Sequence, residues 1–413
     1  MIIFIQVIWE TIKTVAMSIF NPLFWLVVVL IWLQYKNKVK LEREILGKEQ
    51  ETMKDLLLDS IVYGLFAAII GSIIIVLLGI TIENIGLEYV WPLAILLMLI
   101  NPRYICFSYA GGIISLFSLI FGFPHINVPA LMAIVGILHL MESMLIFLDG
   151  HHNSTPVFVQ LDDGRIVGGF SMQKFWPIPF AVLIIVTGVT SSQGFNMPDW
   201  WPIIKPIGVD TNNIMLGITL GMAALGYGDI AITKTPKKKS LISAERLLIF
   251  SLILIGLSIA GIYSVIFQFL AAIFAPLAHE TIILVGQRDE RINTPLFAAP
   301  ENGVMVLFIA KGSPAEKMGI SPGDTILKIN DVPIKDDNDI INILSKQPGF
   351  LSITVRDLEG SYTNYEYRDS RGIKGIGVLI VPKSPQIVMK INGGSLIYDK
   401  IKKFFINLFK GKR

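Results

Sequence analysis

The sequence predicts a membrane α-helical bundle of about seven to nine spans followed by a small C-terminal α/β domain. Three observations carry this. Of the 413 residues 53% are hydrophobic and only 16% are charged, more apolar surface than a soluble chain of this length hides. Apolar segments near the length of a bilayer crossing recur up to residue 278. After about residue 303 they give way to short β-prone runs broken by Gly, Pro and Asp.

Residues 1–17 set Ile2, Ile3, Ile5, Ile8, Trp9 and Ile12 beside Gln6, Glu10 and Lys13. This is the pattern of an interfacial amphipathic helix, or of an extension of the first span. Glu10 and Lys13 interrupt the run, and no small-residue cleavage site follows, so a signal peptide is not expected. A polytopic membrane domain is expected over 18–280, with candidate spans at 18–35, 60–82, 88–101, 104–122, 128–148, 175–191, 213–232 and 246–278. Pro92 shortens the third. The last is too long for one untilted crossing: it either turns near Gly261 and returns, or continues as an interfacial helix.

The net charge of +3 says little, but its distribution orients the bundle. Basic residues crowd 35–58 and 233–246, and Arg103 lies between the third and fourth candidates. The segments 83–88 and 123–127 have none, and 192–212 has only Lys205. Basic loops inside put residues 149–174 in the cytoplasm as well. There Asp162-Asp163-Gly164 separates two β-prone runs, a signal for a hairpin over 155–170.

Residues 281–302 form a linker, and 303–382 a domain. Val304–Ile309 is expected as a buried strand, Pro314–Met318 as a short helix stopped by Gly319, and Gly323-Asp324 as a turn into the strand 325–330. An amphipathic helix over 337–344 carries Ile340, Ile341 and Leu344, and 351–355 is a further strand. The run from Gly312 to Asp331, with Ser313-Pro314-Ala315 and Pro322-Gly323-Asp324, resembles the signature of bacterial PDZ domains. That resemblance implies a partly open antiparallel barrel that binds peptide C-termini or internal extended segments as an added strand. The carboxylate-binding loop of such domains has the pattern Gly-apolar-Gly-apolar. Its match here is Gly375-Ile376-Gly377-Val378, late in the domain, as in circularly permuted members. The groove would lie between 376–381 and the helix 337–345.

Residues 394–413 combine Phe404, Phe405 and Phe409 with Lys400, Lys402 and Lys403, the pattern of a basic membrane-surface helix on anionic lipid.

Enzyme chemistry is not expected. A zinc protease of the site-2 class needs His-Glu-x-x-His, and no two of the five histidines have that spacing. Leu148-Asp149-Gly150 and His279-Glu280 are fragments of such a site. A zinc set from His139, Glu142, Asp149, His151 and His152 is conceivable, but no metal and no cofactor is assigned. Cys106 is the sole cysteine, so neither a disulfide within the chain nor a cysteine-based zinc site is expected.

The order of parts is similar to the MinJ-like family, multi-pass membrane PDZ proteins of the Gram-positive Min division-site system. The resemblance runs through Asn21-Pro22-Leu23-Phe24, the Pro156–Phe170 hairpin, Gln173–Pro179, His279-Glu280, Pro295-Leu296-Phe297 and the PDZ signature. It implies a non-enzymatic scaffold of the bacterial cell membrane, enriched at septum and poles, joining a DivIVA-like marker to a MinD-like ATPase. Its partners would be these proteins and membrane lipids, with no nucleic acid. The alternative is a divergent, inactive site-2-type protease or a PDZ-bearing membrane regulator.

Overall fold

A computed structural model describes residues 2–186, 197–198, 200–207, 215–382 and 389–390. The membrane part contains helices α1 (Ile2–Met17), α2 (Pro22–Leu46), α3 (Met53–Leu78), α4 (Leu87–Ile100), α5 (Phe107–Phe121) and α6 (Val128–Asp149). Strands β1 (Thr155–Gln160), β2 (Ile166–Val186) and β3 (Met215–Ala231) follow, then helices α7 (Pro236–Ala260) and α8 (Val265–Ile292). Among the described residues, five helices are long and apolar enough to cross a membrane: Ile3–Phe20, Met53–Leu78, Val128–Asp149, Pro236–Ala260 and Val265–Ile292. The stretch 18–35 starts in a 3-10 turn (Ser18–Phe20) and continues into α2, whose apolar run stops at Lys36 and which is not one of the five.

Two of the expected spans, 175–191 and 213–232, are not helical over their described residues, 175–186 and 215–232. They are the paired strands β2 and β3, in unbroken antiparallel register from Phe170↔Ala231 to Val186↔Met215. The local sequence explains this. Pro177 and Pro179 would each break a helix, and Gly217, Gly221, Gly226 and Gly228 weaken one in β3.

β2, buried over most of its length in an apolar bundle, must satisfy its backbone internally. Along the edge of β2 facing away from β3, the N–H groups of alternate residues are accounted for one by one. Phe175 N donates to Tyr35 Oη (3.3 Å), Ala181 N to Ser72 Oγ (2.9 Å), Leu183 N to the Ile80 carbonyl (3.1 Å) and Ile185 N to Glu83 Oε1 (2.7 Å). The two positions between Phe175 and Ala181 are Pro177 and Pro179, which have no N–H to satisfy. There α3 comes so close that a Cβ on Gly64 would stand 2.3 Å from the Pro177 carbonyl oxygen.

The expected spans 88–101 and 104–122 are helical but short. At about 1.5 Å per residue α4 and α5 each reach only about 21–22 Å, against a hydrocarbon core of about 30 Å. The start of α4 lies beside the start of α6, where Asn127 N donates to the Asn84 carbonyl (2.6 Å). The turn between α4 and α5 instead meets the middle of α6 and α8: Cys106 Sγ is 3.0 Å from His139 Nε2, and Arg103 pairs with Glu280 at 2.8 Å. His139 is about 15 Å from either end of α6. The two helices therefore form a hairpin whose tip, which carries Arg103, packs against the middle of α6 and α8.

The long last segment turns at Gly261–Ser264, and α8 returns along α7. Gln268 Nε2 donates to the Gly261 carbonyl near the turn (2.7 Å), and Lys239 Nζ to the Gly286 carbonyl at the other end (3.3 Å). The chain thus emerges on the side it entered. There β4 (Phe297–Ala298) pairs with Val167 and Gly168 at the base of β2. β1 and β2 form a hairpin about Asp162–Gly164, with Thr155↔Ser171 through Gln160↔Ile166 in register.

Candidate peptide-binding site

The C-terminal domain consists of β5 (Val304–Ile309), α9 (Pro314–Met318), β6 (Thr325–Ile329), β7 (Val332–Pro333), α10 (Asp337–Leu344), β8 (Phe350–Arg356), β9 (Tyr362–Arg368) and β10 (Val378–Ile380). β11 (Met389–Lys390) pairs in parallel with β1, outside this domain. The domain's sheet runs β10-β5-β6-β8-β9, with β7 on β6.

Local chemistry fixes its two helices. Ser313 Oγ accepts from Glu316 N at the start of α9, Pro314 occupies the first turn, and Gly319 closes the helix in the left-handed region. Asp336 and Asp339 form a capping box on α10. Ile340 and Leu344 turn from α10 into a core with Val306, Ile326, Ile329, Leu351 and Ile353. Ile341 parts from them: it is 60% exposed, so the three expected groove residues do not share one environment.

The loop Gly375–Val378 closes against the start of α9. The carbonyl of Gly377 accepts from Ala310 N (2.8 Å) and that of Ile376 from Ala315 N (3.0 Å), while the Ile376 side chain is buried in the core. Gly377 adopts φ +76°, and a Cβ there would stand 2.3 Å from Ser313 Cβ, so glycine is required twice over. With the carbonyls turned inward, the N–H groups of Gly375, Ile376 and Gly377 take no hydrogen-bond partner among the described residues. A Cβ on Gly375 would meet nothing within 4 Å.

Val378 and Ile380 pack partly buried on the domain core. β10 pairs with β5 on one side, and among the described residues the domain supplies no strand on the other. Where β10 ends near the start of α10, a cavity of about 250 Å³ is lined by Pro300, Val304, Lys335, Asp337, Ile380 and Pro382. A strand edge and loop N–H groups without partners among the described residues, beside an apolar residue on the neighbouring helix, are the parts that strand addition of a peptide uses.

The domain is tied to the membrane part. Phe297 packs on Phe170 with ring centroids 5.4 Å apart, and a Cβ on Gly168 would lie 2.7 Å from Leu307 Cδ1. Leu307 and Val381 belong to the core of the membrane bundle.

Other candidate residues fall elsewhere. Lys400, Lys402, Lys403, Phe404, Phe405 and Phe409 lie outside the described residues. The set His139, Glu142, Asp149, His151 and His152 does not converge: Asp149 accepts from Lys174 Nζ (2.6 Å) and Trp176 Nε1 (2.9 Å), while His139 lies about 15 Å up α6. What sequence spacing missed is that His139 meets Cys106 and His279, from segments far apart in the chain. No local pattern carries that signal.

The PDZ-domain family matches residues 306–356. The chain is 24% identical over 370 residues to the cell division topological determinant MinJ of Bacillus subtilis (strain 168), covering 85% of this chain and 89% of that protein. Among solved structures, the PDZ domain of an SdrC-like protein from Listeria monocytogenes covers 20% of this chain and 92% of its own at 24% identity and TM-score 0.18. Its counterpart from Listeria innocua covers 19% and 93% at 26% identity and TM-score 0.17. The chain carries a C-terminal PDZ domain on a membrane bundle and is MinJ-like over most of its length.

Proposed function

We propose that this protein is a membrane-bound adaptor in division-site selection, whose PDZ domain captures an extended peptide of a cytoplasmic partner on the edge of β10. The observation that carries the reading is the edge of β10 beside the N–H groups of Gly375–Gly377, both without a partner among the described residues, on a domain anchored to the bundle through β4. The basic segments 35–58 and 233–246 argue that the side from which α7 starts and to which α8 returns is the cytoplasm. The similarity to MinJ supplies the division context, with a DivIVA-like marker and a MinD-like ATPase as the partners to test.

The test has two parts. Protease added to inverted vesicles should cleave the PDZ domain, and protease added to right-side-out vesicles should not. A fluorescent fusion in the native host should gather at septa and poles and disperse when the DivIVA-like protein is removed. Cleavage from outside excludes capture of cytosolic partners, and uniform membrane fluorescence excludes the division role.

A further inference from the structure

Three side chains from three segments converge beside the middle of α6 and α8. Cys106 ends the turn before α5, His139 is on α6 and His279 is on α8. Cys106 Sγ lies 3.0 Å from His139 Nε2 and 3.7 Å from His279 Nε2, and one ligating atom from each lies within 4.8 Å of the other two.

Hydrogen bonding fixes which nitrogen of each ring faces the centre. His139 Nδ1 is 2.7 Å from the Val135 carbonyl, which can only accept, so Nδ1 carries the proton. His279 Nδ1 is 3.3 Å from Tyr109 Oη. That hydroxyl donates to Glu280 Oε2 at 2.6 Å, so it accepts from His279. Glu280 is in turn held by Arg103 at 2.8 Å. In the neutral rings both Nε2 atoms therefore present lone pairs toward Cys106 Sγ. A single thiol proton can serve only one of them; the Ser108 hydroxyl, 3.1 Å from His139 Nε2, is the other donor at hand. Imidazoles oriented through Nδ1 by a carbonyl and by a tyrosine–carboxylate pair match the outer shell of metal-bound histidines.

We propose that Cys106, His139 and His279 bind a thiophilic metal ion, of which zinc best suits the donor set. Tetrahedral zinc at about 2.3 Å from sulfur and about 2.0–2.1 Å from nitrogen places sulfur and nitrogen ligands about 3.5 Å apart, near the present separations. Binding replaces the S–H bond of Cys106 by a metal–sulfur bond and releases the proton to solvent. The ion would pin the tip of the α4–α5 hairpin to α6 and α8, and leave one coordination position open.

The test uses the full chain, purified in detergent with a tag free of histidine. It should retain about one zinc per chain, and cobalt(II) should produce a thiolate-to-metal charge-transfer band. Because Cys106 is the sole cysteine, that band reports this residue alone. Cys106→Ser should abolish it, His279→Gln should weaken cobalt binding at least tenfold, and Tyr109→Phe should weaken it about 10–100-fold while leaving all three ligands in place. Zinc should also slow alkylation of Cys106 in the unmutated protein, and a chelator should restore it; this readout survives if a variant fails to fold. Absence of both the band and the protection overturns the proposal. So does a band unchanged by His139→Gln and His279→Gln, which would mean adventitious binding to the thiol.

Discussion

Replacing Asp149 with leucine tests how the strand pair is held in the bundle. Asp149 is 1% exposed and its partner Lys174 is 2% exposed. The carboxylate accepts from Lys174 Nζ at 2.6 Å and from Trp176 Nε1 at 2.9 Å, joining the end of α6 to β2. Removing it strands a buried ammonium, which costs about 3–5 kcal/mol. The orphaned indole N–H costs about 1–3 kcal/mol more. Lys174→Met alone strands the carboxylate and should cost about 3–5 kcal/mol. The double variant Asp149→Leu/Lys174→Met leaves no unpaired charge, so only the indole's share should persist and most of the lost stability should return. The assay is a double-mutant cycle on the full chain, unfolded by SDS in mixed micelles and followed by tryptophan fluorescence. A coupling below about 1 kcal/mol, or single variants unfolding at the original midpoint, would refute the reasoning.

The PDZ domain gives further expectations. Gly375→Glu places an anion in open space on the loop proposed to hold the partner's carboxylate, so it should abolish capture of a partner C-terminus with an unfolding midpoint within about 0.5 kcal/mol of the parent. Gly377→Trp, by contrast, should destabilise the domain, because its first side-chain carbon already collides with Ser313; an unchanged midpoint would mean the loop is misplaced. Burial and the nearby Asp357 carboxylate push the Asp324 carboxyl above its usual range, although Ser321 N donates to it. Its folded pKa thus exceeds its unfolded one, so its unfavourable contribution at neutral pH is relieved as pH falls through the folded value. The stability difference between parent and Asp324→Asn, followed by denaturant unfolding from pH 7 to pH 4, should shift in the parent's favour as pH drops; a flat difference contradicts this. In a Cys106→Ser background, Tyr263→Cys in the α7–α8 turn should react with an impermeant maleimide from outside whole cells and Lys311→Cys should not; the reverse pattern would invert the topology.

Much of the PDZ domain is written locally. Ser313, Pro314 and Gly319 bound α9, and Asp336 with Asp339 starts α10, because caps and turns depend on residues within a few positions of one another. The hairpin at Asp162–Gly164 and the turn near Gly261 are equally local. Hydropathy, however, measures how apolar a segment is and not how its backbone is paired. Residues 175–191 and 213–232 are apolar enough for spans, yet Pro177, Pro179 and the glycines of β3 disfavour helix, and the mutual register of β2 and β3 makes strands stable there instead. The same limit hid the packing of the α4–α5 turn on α8: Arg103 looks like a loop cation until Glu280, far along the chain, is seen to pair with it. Cys106, His139 and His279 share no spacing that a sequence pattern records. Residues that meet through the packing of separate segments leave no periodic trace, so the sequence alone determined the locally capped PDZ elements, without β7 and β9, and the apolar character of the bundle. Tertiary structure decided which apolar segments are strands, which are short helices, and which buried polar groups face one another.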